Sequence, residues 1–126
     1  MINKKLKILF LYPNLHMSTL VPNGIAILSA TLKQAGFKNV GLFDPTFYQT
    51  ELVQAKKEGS GRYDVRIQMG QMKPYSFEDR NIKLKKTDIL KDFANKVNEF
   101  KPDIIFASIL EDTFPIFLKF NDNSSK

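Results

Sequence analysis

LKILFLY, Leu6 to Tyr12, is the stretch on which the fold turns. It is apolar along nearly its whole length, broken only by Lys7, and it stops at Pro13. A strand with one wet face alternates polar and apolar residues. A short continuous run fits a strand buried on both faces, as in a parallel sheet. After a polar loop, Pro13 to Val21, the period changes: Ile25, Leu28, Ser29, Leu32 and Ala35 share one helical stripe, closed by Gly36. Pro22 suits the first turn of that helix. Asn39 to Phe43 (NVGLF) then reads as a second short strand ending at Asp44-Pro45. Strand, helix, strand with tight links is the pattern of a right-handed βαβ crossover.

Residues Thr46 to Ala55 read as another short helix. From Lys56 to Lys86 periodicity is poor, with Gly59-Ser-Gly61 and Pro74 as punctuation. A stretch of that length without a pattern reads as an insertion or a disordered segment. Order returns at Thr87 or Asp88, either of which suits a helix N-cap. Ile89, Phe93, Val97 and Phe100 carry the stripe, widened by Leu90 and Ala94, and Lys101-Pro102 ends it, because the residue before proline is pushed out of the helical region. Asp103 to Ser108 (DIIFAS) reads as a third buried strand. Asp112 or Thr113 would cap a last helix holding Ile116, Phe117 and Phe120, before the polar end NDNSSK.

The expected fold class is therefore α/β: a Rossmann-like three-layer α/β/α arrangement on a parallel sheet of order 2-1-3. It is incomplete, since doubly wound sheets usually carry about five strands or more. Residues 1–120 form one partial domain with a basic insertion at about 56–86, and 121–126 a polar tail. The reading is of a truncated domain whose core is either marginal or completed by a partner.

Composition narrows the chemistry. The 126 residues suit one small domain. With no Cys, the chain holds no disulfide framework, thiolate metal site, cysteine nucleophile or Cys-ligated iron–sulfur cluster. A cytoplasmic protein is expected; the apolar N-terminal run is too short for a signal peptide or a membrane span. Eleven Phe without Trp indicate an apolar core or an apolar docking face. The net charge is +6, but residues 56–86 hold nine Lys or Arg against four acids and so carry five of those six charges. A basic connector of this kind reads as a solvated loop, not a nucleic-acid surface, because no aromatic-rich strand accompanies it.

Motifs add little catalysis. Gly59-Ser-Gly61 follows no strand and opens no helix, so it reads as a turn and not as a dinucleotide fingerprint. His16, the sole histidine, excludes a multi-histidine metal site; in its loop it either touches a ligand or lies at the surface. Asp44, at the carboxyl end of the second strand, either caps a turn or reaches a ligand. In open parallel sheets ligands bind beyond the carboxyl ends of the strands, where the strand order reverses. With order 2-1-3 that point lies between strands one and three, flanked by the loops 13–24 and 108–114. There Ser108, Glu111 and Thr113 would turn hydrogen-bonding groups toward a neutral, amide-bearing ligand, although Asp112 or Thr113 also reads as a helix cap. No nucleophile, base and orienting residue stand together, so catalysis is not expected of this chain. A phosphoacceptor reading fails for want of acids at the end of strand one, where Pro13-Asn14 stand.

Three stretches in this order resemble one family: ILFLYP (8–13); PNG (22–24) leading through Leu28 and Leu32 to Gly36-Phe37 and Asp44; and KPDIIFAS (101–108) with EDTFP (111–115). Together, over about two thirds of the chain, they are similar to the N-terminal cobalamin (B12)-binding domain of B12-type radical SAM proteins. The resemblance implies a Rossmann-like domain with corrin contacts at the strand carboxyl ends, at the positions Leu15, Pro22, Gly24, Ser108, Glu111 and Thr113. It implies cobalamin as cofactor and a parent enzyme such as a methyltransferase. Its partners would be cobalamin and a radical SAM domain or a second copy of the chain, with no nucleic acid and no membrane. The Asp-x-His-x-x-Gly signature of base-off cobalamin binding is absent, so His16 is not assigned to cobalt. The Cys-x-x-x-Cys-x-x-Cys motif is absent too, so radical chemistry is outside this chain. The alternative expectation is an assembly module that completes its sheet with another chain and docks through Phe114, Phe117 and Phe120.

Overall fold

The computed structural model describes residues 2–14, 22–49, 69–71 and 80–124. Three strands, β1 (Lys7–Leu11), β2 (Asn39–Phe43) and β3 (Ile104–Ala107), form one parallel sheet in the order β2-β1-β3. Helix α1 (Asn23–Gln34) links β1 to β2, α2 (Ile89–Phe100) leads into β3, and α3 (Phe114–Ser124) follows a 3₁₀ turn at Glu111–Thr113. This is the expected α/β class with the expected strand order.

The continuous run in β1 fills two cores at once, because alternate residues point to opposite faces. Ile8, Phe10 and Tyr12 pack with Ile25 of α1 and Phe37 on one face. Leu9 and Leu11 pack with Phe43, Ile89, Phe93, Ile116 and Phe120 on the other, under α2 and α3. Each large side chain so buried contributes about 1.5–3 kcal/mol. The second core is aromatic at its centre: the Phe93 ring stands edge-on to Phe43 and to Phe120, each at 5.1 Å between centroids.

Local chemistry sets the helix ends. Asp88 is the N-cap of α2, its Oδ1 accepting the amides of Leu90 (2.9 Å) and Lys91 (3.2 Å). Asp88→Ala should therefore lower stability by about 1 kcal/mol, read as a shift in the urea midpoint at unchanged slope. At the other end Lys101 leaves the right-handed region before Pro102, with φ 50°, while its N–H still reaches the Val97 carbonyl at 2.8 Å. Gly36 closes α1 with φ +95°, a conformation that glycine adopts without strain. Pro22 stands one residue earlier than expected, as the N-cap of α1 and not inside its first turn.

Five expectations are corrected. β3 is not buried: Ile104, Ile105 and Phe106 are 38%, 38% and 45% exposed. The strand lies at the sheet edge, and the buried clusters gather over β1 and β2, so apolar content here does not mean coverage. Leu28 is 56% exposed, because three residues from Ile25 it lies at the flank of a narrow stripe that seats Ile25 and Leu32. Thr46 to Gln49 form a turn and a bridge in place of the start of a helix, while 50–55 lie outside the described residues. Phe120 is fully buried and cannot dock a partner; of the three phenylalanines proposed for docking, Phe114 is exposed and Phe117 packs against the core. The polar residues 121–124 continue α3, so the helix reaches further than the expected boundary at 120.

The basic segment is anchored at its described end. Tyr48 and Lys85 form a parallel bridge, with the Gln49 amide donating to the Lys85 carbonyl and the Lys85 amide to the Phe47 carbonyl, both at 2.8 Å. Gly59, Gly61 and His16 lie outside the described residues. No helix among the described residues is long and apolar enough to cross a membrane.

Candidate functional site

All three strands run the same way, so their carboxyl ends share one edge of the sheet, and the loops that start there also start α1, α2 and α3. With the order β2-β1-β3, the chain leaves β1 toward β2 and later returns to β3 on the opposite side. The switch point therefore opens between β1 and β3.

Of the residues expected at this edge, four follow β1 or β3 in the chain and keep accessible surface. Pro22 is half-buried at the start of α1. Gly24 is exposed, and among the described residues a Cβ built on it meets nothing within 4 Å beyond the adjoining chain. Ser108 is exposed, its amide donating to the Leu11 carbonyl at 3.0 Å, which ties the ends of β1 and β3 together. Glu111 is exposed at the start of the 3₁₀ turn. Leu15 lies outside the described residues. Thr113 is different: it is buried, and its hydroxyl accepts the Leu110 amide at 2.9 Å and donates to the Leu110 carbonyl at 3.1 Å. Its polar group serves the turn, which is the capping role.

Asp44 also takes the local role, accepting the Thr46 amide at 3.0 Å and the Thr46 hydroxyl. Thr46 Oγ1 in turn accepts from Asn14 Nδ2 at 3.0 Å, so a polar chain joins the loop after β1 to the loop after β2. Tyr12, buried beneath it, has its phenol pushed up, by burial first and then by the negative charge of Asp44.

A second cluster at the same edge escaped the sequence reading. Asp92, in the first turn of α2, accepts at Oδ2 from Tyr48 Oη (2.8 Å), Thr87 Oγ1 (2.6 Å) and Lys85 Nζ (2.8 Å), while Lys85 Nζ also donates to Tyr48 Oη at 2.9 Å. The hydrogen bonds from Lys85, Thr87 and Tyr48, in that order, hold the Asp92 carboxyl down to about 2. Lys85 is held above the ordinary lysine range by the Asp92 hydrogen bond first and then by Tyr48. Tyr48 is pushed up, chiefly by burial. An acid in a first helical turn hints at a role beside the helix dipole, but the partners at 48 and 85 are paired only by the fold.

Asp92 is depressed, so its contribution is present above the ordinary carboxylate pKa near 3.8 and is lost as pH falls toward about 2. Lys85 is raised, so its contribution is present below about 10.5 and is lost only as pH climbs past its folded-state value. Asp92→Asn should cost about 1 kcal/mol near neutral pH, since the site is partly solvated. It should also flatten the loss of stability between about pH 4 and 2 relative to the parent chain, read by urea titrations at a series of pH values. An unchanged acid limb would show that the cluster carries no weight.

Among the described residues no group of three or more His, Cys, Asp or Glu is placed to hold a metal ion. These residues offer exposed hydrogen-bonding groups that can position a ligand. The chain matches no family model, and neither a curated protein nor a solved structure is similar to it.

Proposed function

We propose that this chain is a cofactor-binding module that seats cobalamin at the carboxyl edge of its sheet and serves a radical SAM enzyme without catalysing a reaction itself. The observation that carries the reading is the strand order, which opens the switch point between β1 and β3; the reading assigns Pro22, Gly24, Ser108 and Glu111 to the loops and helix starts beyond the strand ends. Sequence supports it through the resemblance of 8–13, 22–24 and 101–115 to the cobalamin-binding domains of that enzyme class.

The residues present fit the task in two respects. Open space over Gly24 admits a flat macrocycle close to the backbone. Exposed Ser108 and Glu111 offer a hydroxyl and a carboxylate to the amide side chains of a corrin rim. Cobalamin, when bound, supplies the reactive cobalt. This chain's residues bind and orient the ring, and Thr113 acts only through the turn it holds.

Titration with hydroxocobalamin, followed in the visible corrin bands, should give a saturable change. Gly24→Leu should weaken that binding by tenfold or more without lowering the melting temperature, because among the described residues nothing beyond the adjoining chain lies within 4 Å of the new side chain's first carbon. Absence of a saturable change, with the chain folded by circular dichroism, would overturn the reading.

A further inference from the structure

Five of the six net charges fall in residues 56–86, and the fold sorts the charges outside that segment by sheet edge. The starts of the three parallel strands share the amino edge, opposite the candidate site, with the ends of α1 and α2. Segments 2–7, 33–39 and 99–103 are stitched together there. The Asn39 side-chain amide donates to the Lys5 carbonyl at 3.1 Å, and the Lys7 amide donates to Asp103 Oδ2 at 2.8 Å. A Cβ built on Gly36 would stand 3.2 Å from Cδ of Lys4, so that lysine lies against the turn that closes α1.

The three segments carry six exposed lysines, Lys4, Lys5, Lys7, Lys33, Lys38 and Lys101, against two acids, Glu99 and Asp103. None of the six is in an ion pair among the described residues. The two pairs found there, Lys85 with Asp92 and Lys91 with Asp88, lie at the start of α2, at the other edge. The partial negative charge at the ends of α1 and α2 accounts for Lys33 and Lys101, one lysine to each helix end. Among the described residues no ion pair offsets the repulsion among the other four, which an anionic partner would relieve.

Two features select that partner. All six cations are lysines, point charges without the planar fork by which arginine reads phosphate or base edges. The aromatic residues of these segments are turned inward, Phe37 buried and Phe100 packed against the core, so no base can stack on them. Close to Lys4 and Lys5 in the chain stands Ile2, 73% exposed, the most exposed large apolar residue among those described. Lysines beside one bare aliphatic side chain match an anionic lipid surface, where the ammonium groups meet headgroups and the isoleucine enters the boundary beneath them. We propose that the amino edge lies on an anionic membrane surface and so holds the carboxyl edge, with its ligand site, toward water. This departs from the family resemblance, which implies no membrane partner, and it does not rest on cobalamin binding.

Co-sedimentation of the full chain with vesicles of phosphatidylcholine containing about a third phosphatidylserine tests this, beside vesicles of phosphatidylcholine alone. Binding should require the anionic lipid and should be lost near about 0.5 M NaCl, where charges are screened within a few ångströms. K4E/K38E should lower the partition coefficient by about tenfold or more, since each lysine near such a surface is worth roughly a fivefold change. K86E/K119E makes the same change of net charge at exposed positions outside the three segments, and should lower it by no more than about twofold. Ile2→Ser should weaken vesicle binding about threefold and leave binding to duplex DNA unchanged. Absence of binding to the anionic vesicles overturns the proposal. Equal losses in the two double variants do so as well, because the attraction would then be one of net charge alone. Duplex DNA bound more tightly than the vesicles at the same salt also overturns it and assigns the edge to nucleic acid. None of these measurements uses cobalamin, so failure here is separable from failure of the binding reading.

Discussion

Phe93→Ala is expected to lower the stability of the chain by about 4 kcal/mol. Phe93 is 1% exposed, and its ring meets Phe43 and Phe120 edge-on at 5.1 Å while packing under Leu9 and Leu11. Truncation removes the transfer free energy of the ring, opens a cavity between β1, α2 and α3, and leaves two aromatic neighbours without their edge contacts. A domain of this size has a total stability of about 5–15 kcal/mol, so the variant should unfold at a much lower urea concentration, and near body temperature it should be partly unfolded. Phe120→Ala should lose a similar amount. The double variant should lose less than the two together, because the pair shares one contact and one cavity. A midpoint for Phe93→Ala within about 1 kcal/mol of the parent would mean that the aromatic cluster does not hold α2 and α3 to the sheet.

The second large effect sits at the opposite end of α2. Gly41 in β2 faces Phe100: a Cβ there would stand 3.3 Å from Cε2 and Cζ of that ring and 3.4 Å from Leu9 Cδ1. Gly41→Ala asks the Phe100 ring to give by a few tenths of an ångström, offset by the better strand propensity of alanine, and should be nearly neutral. Gly41→Val adds two methyl groups into the same gap and should cost about 2 kcal/mol by overpacking. The contrast between the two variants, read as urea midpoints, separates steric crowding from backbone preference. If valine were no worse than alanine, the α2–β2 contact would be looser than its geometry states.

These variants also mark where the sequence was legible. The continuous run 6–12, the helical stripe beginning at Ile89 and the break before Pro102 identify β1, α2 and its end from short-range chemistry alone. The strand order follows from the sequence of elements and the handedness of the crossovers. In the candidate site, Pro22, Gly24, Ser108 and Glu111 could be placed at the carboxyl edge for the same reason: a parallel strand always delivers its next loop there. Thr113 could not be assigned, since a capping threonine and a ligand-binding threonine look alike in one dimension.

Periodicity in a single segment reports which face of that segment is apolar, and so the elements and their order are legible in the sequence. Coverage is a property of what lies alongside. DIIFA reads as buried, yet at the edge of the sheet Ile104, Ile105 and Phe106 stand exposed on both faces, while Phe120, read as a docking residue, closes the core. The Tyr48, Lys85 and Asp92 cluster is likewise invisible along the chain. Its members are separated by 37 residues at one step and 44 overall, and only the packing of α2 against the loop after β2 brings three donors to one carboxylate oxygen. Local chemistry settles which elements form, whereas exposure and long-range polar contacts depend on neighbours that a one-dimensional pattern does not contain.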